Sequence, residues 1–145
     1  MITARTNHLR DFYNFDSYEH GNVTGNNWVV SRTRINYLTP IKFNDQVNIQ
    51  TRLVYSDERR IVPETVIYSP DKTKIHALAW IEFVYFNIAR ARPTKHTPEL
   101  MEFFRSIAMP IEEFHLEKID QRVTDIRRMS SVVSQSASKE EHSLV

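Results

Sequence analysis

Few side chains in this chain have types and spacing that could do chemistry. Its six histidines show neither H-x-x-x-H nor any other ligand spacing, and it has no cysteine. Thiol catalysis and Cys-ligated zinc are thereby excluded, and no metal is expected. The only glycines are Gly21 and Gly25, which excludes a glycine-rich phosphate cradle. Carboxylates remain as acid–base groups. Glu82 is the most unusual, because it interrupts an apolar run and a buried carboxylate needs a partner; a paired or rim-facing role is expected. Glu64 falls in another extended stretch. His76 shares the run of Glu82 and is expected to be a satisfied core or interface histidine. Asp11 and Asp16 are expected to face solvent. The string EHGNVTGNN (Glu19 to Asn27) invites a motif reading, but a solvated turn accounts for it better.

The totals bound the classes of function. At 145 residues, one domain is expected. Such a chain buries roughly 70% of its unfolded surface and needs no disulfide or metal staple. A net charge of +1 argues against a dedicated nucleic-acid binder. No apolar run reaches membrane-spanning length, and the first residues lack a signal-peptide core. Cytoplasm is the expected compartment.

The elements that must position these residues follow from periodicity. From Ile2 to Tyr13, the residues Ile2, Leu9, Phe12 and Tyr13 fall on one side of a 3.6-residue period, which predicts an amphipathic helix. Asn14 to Asn27 is polar, contains both glycines and reads as a loop. Trp28 to Leu38 reads as a strand, with Val29, Ser31, Thr33, Ile35 and Tyr37 as its inner face. Thr39-Pro40 ends it, and Asn44-Asp45 is a turn signal. In Gln46 to Ser56, Val47, Ile49, Thr51, Leu53 and Tyr55 alternate with polar residues, predicting a strand with one wet face.

Arg59 to Ser69 is a third strand, in which Pro63 predicts an edge or a bulge. Lys74 to Ile88 is apolar on both faces. At about 3.3 Å per residue it would run to roughly 45 Å, so it must curve, and it reads as the central strand. Short turns between four strands predict an antiparallel meander. One helix with several long strands predicts an α+β fold whose sheet curls over the helix. Arg90, Arg92, Lys95 and His96 form a basic connector. Thr97-Pro98 supplies an N-cap and a Pro at N1 for a helix to about Ser106, with Leu100, Met101, Phe103 and Phe104 on its apolar side. Pro110 breaks it. Leu116, Ile119, Val123, Ile126 and Val133 then sit at three- and four-residue spacings. They predict a helical extension over residues 107–135 that packs within the chain or across a dimer. Residues 136–145 read as a frayed tail.

Taken together, Ala4-Arg5-Thr6, Leu9-Arg10 and the segment WVVSRTRINYLTPIKFNDQ resemble a known family. They are similar to hotdog-fold acyl-CoA thioesterases of the 4-hydroxybenzoyl-CoA thioesterase type. Those carry an E-x-A-R-T-x-x-L-R helix, then vv-x-x-x-x-I-x-Y-x-x-P-x-x-x-x-D. The second pattern falls here on Val29, Val30, Ile35, Tyr37, Pro40 and Asp45. The Arg90-Ala91-Arg92-Pro93 segment followed by a helix is also similar, and the resemblance covers roughly residues 1–106. Family members place a strand and a D-x-x-G-H-x-N-N loop before the helix, and that loop supplies the usual catalytic Asp. This chain starts at a position that aligns inside the helix, and the family's helix Glu falls at Ile2. The expectation is that the catalytic carboxylate is missing from this chain. Either translation truly starts further upstream, or the product is a shortened hotdog domain.

The resemblance implies a hotdog fold and hydrolysis of an acyl-CoA or acyl-carrier thioester to acid and thiol. It implies no cofactor, and a homodimer or homotetramer with the site at a subunit interface. The family chemistry uses a carboxylate and a helix N-terminus that polarises the carbonyl. Tyr37, Lys42, Arg90, Arg92 and Lys95 are the candidates for binding substrate and coenzyme A; a solvated basic connector is the competing reading of the last three. The alternative function is a non-catalytic hotdog domain that binds acyl ligands or supports an assembly.

Overall fold

The computed structural model describes residues 16–130. The helix expected over Ile2–Tyr13, Val133 and the tail lie outside the described residues. The elements run α1 (Ser17–Thr24), β1 (Asn26–Tyr37), β2 (Asn48–Ser56), β3 (Arg60–Tyr68), β4 (Ile75–Asn87), β5 (Arg92–Pro93) and α2 (Pro98–Ile107). A short 3₁₀ turn at Leu116–Lys118 leads into α3, residues 119–130.

Where a loop was expected, α1 stands. The Asp16 carboxylate accepts from the Tyr18 and Glu19 amides, and Gly25 ends the helix at φ 71°, donating to the Gly21 carbonyl. These are ordinary N-cap and C-cap signals. Periodicity could not reveal α1, because none of its residues is buried and it has no apolar stripe. The string Glu19–Asn27 therefore divides between the end of α1 and the start of β1.

The antiparallel sheet has the order β1-β4-β3-β2, with β5 paired to the end of β4. As expected, β4 is central. The four-strand meander is corrected: β2, β3 and β4 form one, but β1 pairs with β4 rather than β2. Three residues join β2 to β3 and six join β3 to β4, whereas the ten residues between Tyr37 and Asn48 allow the chain to cross the sheet. Pro63 lies opposite Leu53, where a bulge shifts the β2–β3 register before Tyr55. It sits in an interior strand, so the bulge accounts for it and an edge does not.

The predicted inner face of β1 is not observed. No β1 residue is buried; Tyr37 is 83% exposed, and a register shift between Val30 and Arg32 breaks the alternation. Among the described residues β1 is an edge of this sheet, and a one-residue slip exchanges the faces. Likewise, Val47, just before β2, and Ile49 within it are exposed, while Leu53 and Val54 are both buried across the bulge.

Alternate residues of β4 serve two cores. Ile81, Phe83 and Tyr85 cluster with Leu53, Ile61 and, from α2, Leu100 and Phe104. Leu78 and Trp80 cluster with Val54, Val62 and Val66, and with Leu116, Ile119, Val123 and Ile126 from the C-terminal segment. Thr97 caps α2 by accepting from the Leu100 amide, as its sequence predicts.

After α2 the chain crosses the β2 edge. Ala108 bridges Leu53 in parallel, Met109 N–H donates to the Leu53 carbonyl (2.8 Å) and Ile111 N–H donates to the Val54 carbonyl (3.1 Å). This crossing covers an otherwise open edge and delivers α3 to the opposite face. Each buried aliphatic side chain of that face contributes about 1.5–3 kcal/mol relative to exposure.

Candidate functional site

A cluster of aromatic and imidazole rings fills the end of the sheet beneath α1 and α2. Trp28 from β1 lies 4.8 Å from Tyr85 of β4 between ring centroids, and 5.0 Å from His20 of α1. His96, just before α2, stacks on Tyr85 at 5.0 Å, and Phe104 meets it edge-on at 5.1 Å. Position follows from register, since Trp28 and Tyr85 are direct cross-strand partners.

Hydrogen bonds fix the protonation of His96. The Trp28 indole N–H donates to His96 Nε2 at 3.0 Å. That nitrogen must then be unprotonated, so Nδ1 carries the hydrogen and donates to the Asp57 carbonyl at 2.9 Å. Burial pushes the His96 pKa below its usual value; the bond to the Asp57 carbonyl opposes this and is outweighed. His96 is thus a neutral, buried group and leaves the basic connector to which the sequence assigned it. His20 Nε2 lies 2.6 Å from the Tyr85 hydroxyl, and burial lowers its pKa also.

The sign of the resulting pH dependence is fixed. Both imidazoles bind protons more weakly folded than unfolded, where the pKa is about 6.5. Their full contribution is present above that value and is lost as pH falls through the window below it. We expect the urea midpoint to drop between about pH 7.5 and about pH 5.5, with a smaller drop in His96→Gln. An equal drop in both proteins would remove His96 as its source.

Buried carboxylates are engaged elsewhere. Glu82 Oε1 accepts from Ser31 Oγ at 2.7 Å and from Arg32 Nε at 3.2 Å, and Oε2 lies 3.5 Å from Arg60 Nη1. Glu64, fully buried, accepts from the Trp80 indole at 2.9 Å and from both Arg122 Nε and Nη2, at 2.7 and 2.9 Å. Arg52 Nε lies 3.4 Å away on its other side. Burial would raise the Asp57 pKa, but hydrogen bonds from Arg59 and Arg60 hold it below its usual value. His76 is buried and its Nδ1 donates to the Thr39 carbonyl at 3.2 Å. Among the described residues no group of His, Asp or Glu is arranged to hold a metal ion.

The sequence-derived binding candidates fall into two separate groups. Arg90 and Arg92 are exposed, and Lys95 pairs with Glu58 at 3.3 Å. Arg92 lies opposite Asn87 at one end of β4. Tyr37 lies opposite Ala77 at the other end, with Lys42 exposed in the connection that follows. Ten residues of strand separate the two ends, roughly 33 Å. Within one chain they do not form a single site. The ring cluster was not legible: Trp28 lies 57 residues from Tyr85 and 68 from His96, and the β1–β4 register is what brings it to them. Two arginines on Glu64 were equally hidden, Arg122 lying 58 residues away.

Comparisons with known proteins agree with this architecture. Residues 1–104 match the thioesterase-like superfamily. Among solved structures, the probable thioesterase YbaW from Escherichia coli is 22% identical, with 69% of this chain and 75% of that one covered at a TM-score of 0.59. DHNA-CoA thioesterase from Staphylococcus aureus is 16% identical over 72% of this chain and 70% of that one, at 0.63. A probable thioesterase from Bartonella henselae is 21% identical over 64% and 74%, at 0.55. No curated protein matches the sequence. The fold is the α+β hotdog arrangement that the sequence predicts, and no helix among the described residues is long and apolar enough to cross a membrane. With a match that spans the whole sheet and the first turns of α2, this chain belongs to the thioesterase-like superfamily.

Proposed function

We propose that the protein hydrolyses acyl thioesters, with acyl-CoA as the substrate class, releasing a carboxylic acid and a free thiol. The observation that carries this reading is the superfamily match over residues 1–104. Solved relatives named as coenzyme A thioesterases favour coenzyme A as the thiol. Arg90, Arg92 and Lys95 are the proposed contacts for its phosphates, and Tyr37 and Lys42 would join them from a second copy. A dimer would thus supply what the two ends of β4 keep apart in one chain.

A second reading is a non-catalytic acyl-binding or assembly domain. It is favoured by the state of the carboxylates: among the described residues, Glu64 and Glu82 are each held by two arginines. A carboxylate whose oxygens are already held by guanidinium groups is not positioned to attack a substrate or activate a water. Incubating the purified protein with a panel of acyl-CoAs and measuring free thiol separates the two. Turnover above the uncatalysed rate is expected. Saturable acyl-CoA binding without thiol release would establish the second reading instead.

A further inference from the structure

Tyr68, at the end of β3, is 6% exposed, yet its phenol makes no hydrogen bond among the described residues. Buried tyrosine hydroxyls ordinarily find a partner. This one borders an open cavity of about 760 Å³ between the β3–β4 turn and the end of α3. The size suits a small organic ligand.

Its walls are of two kinds. Ile75, Ile126 and Met129 are apolar, while Arg52, Lys72 and Lys74 line it together with one carboxylate, Asp71. Asp71 is engaged by its own turn: the Ser69 hydroxyl and the amide and hydroxyl of Thr73 hold its pKa at about 2. Glu64, next to Arg52, is shared between Arg52 and Arg122. Arg122 takes the short bidentate contact, and Arg52 keeps the longer one with its side chain 20% exposed. The local charge is positive. Burial raises the Tyr68 pKa, so its hydroxyl is a donor at neutral pH.

We propose that this cavity binds a small amphiphilic oxyanion, a carboxylate or phosphate monoester with a short hydrocarbon tail. Tyr68 O–H and Arg52 meet the head group, Lys72 and Lys74 add charge, and the Ile126 side takes the tail. Charge-assisted hydrogen bonds to an oxyanion are the strong class, and an apolar wall beside them selects against inorganic ions. Ile126 and Met129 lie beyond residue 104, so the cavity depends on a segment outside the superfamily match. The site is independent of thioester turnover.

The two tryptophans provide the test. Trp80 donates to Glu64, the partner of Arg52, whereas Trp28 donates to His96 on the opposite face. The full chain would be titrated with octanoate, octyl phosphate, inorganic phosphate and octanol, following both indole N–H signals by NMR. At least one octyl anion should shift the Trp80 signal saturably and leave Trp28 in place. Tyr68→Phe should weaken that binding about tenfold or more, and Lys72→Gln with Lys74→Gln, on an exposed turn, should do the same. Binding by only one octyl anion identifies the head group. The proposal is overturned if neither anion moves Trp80, if octanol binds as well as octanoate, or if inorganic phosphate binds as tightly as octyl phosphate. Unchanged affinity in both variants would overturn it as well.

Discussion

Glu64→Ala should cost about 3–5 kcal/mol of folding stability, the range for breaking a buried ion pair from one side. The reason lies in what remains. Glu64 is fully buried, accepts from Trp80 and Arg122, and pairs with Arg52. Alanine leaves a buried indole N–H and the mostly buried Arg122 guanidinium without an acceptor, and a cavity beside them. The intrinsic basicity of a guanidinium keeps Arg122 charged even without Glu64, so the arginine cannot escape by losing its proton. Urea unfolding measures the loss. Adding Arg122→Met should recover much of it, because the destabilisation comes from the orphaned charge rather than from the absent pair. A loss under about 1 kcal/mol in Glu64→Ala would mean that water already reaches the pair.

Val123→Asp should be comparably severe, at least about 3 kcal/mol. Val123 is 5% exposed and packs with Leu116, Ile119 and Ile126 against Val54, Val62, Val66 and Trp80. An aspartate there must be buried unpaired, take up a proton, or force α3 from the sheet. The third route also withdraws Arg122 from Glu64, so the damage spreads into the ion cluster. Amide exchange distinguishes these outcomes. Protection across residues 119–130 should fall far more than protection in β4, which lies between two strands. Equal loss in both would show that α3 and the sheet unfold as one unit, and that detachment is not a separate step.

These two sites differ in how visible they are in the residue order. The stripe Leu116, Ile119, Val123, Ile126 is periodic, so its burial follows from spacing alone. Thr97-Pro98 marks the start of α2 for a similarly local reason, since a cap needs only its next few amides. Glu64, by contrast, reads as one more strand carboxylate. The same limit explains α1, whose signals lie in Asp16 and Gly25 rather than in any apolar period. It also explains β1 and β2, where a single bulged residue exchanges faces that strict alternation had assigned.

By itself, the sequence determined the extent of the long strands, the central place of the apolar β4, the N-cap of α2 and the stripe of α3. Each depends on neighbours a few positions apart, and local sterics and periodicity govern those. Tertiary structure alone decided that β1 joins β4, that His96 is neutral, that two arginines share Glu64, and that Tyr37 and Arg92 lie at opposite ends of one strand. Those outcomes turn on strand register and on burial among residues dozens of positions apart. Both the charge a group carries and the partner it meets are set by that environment, which no local pattern of residues encodes.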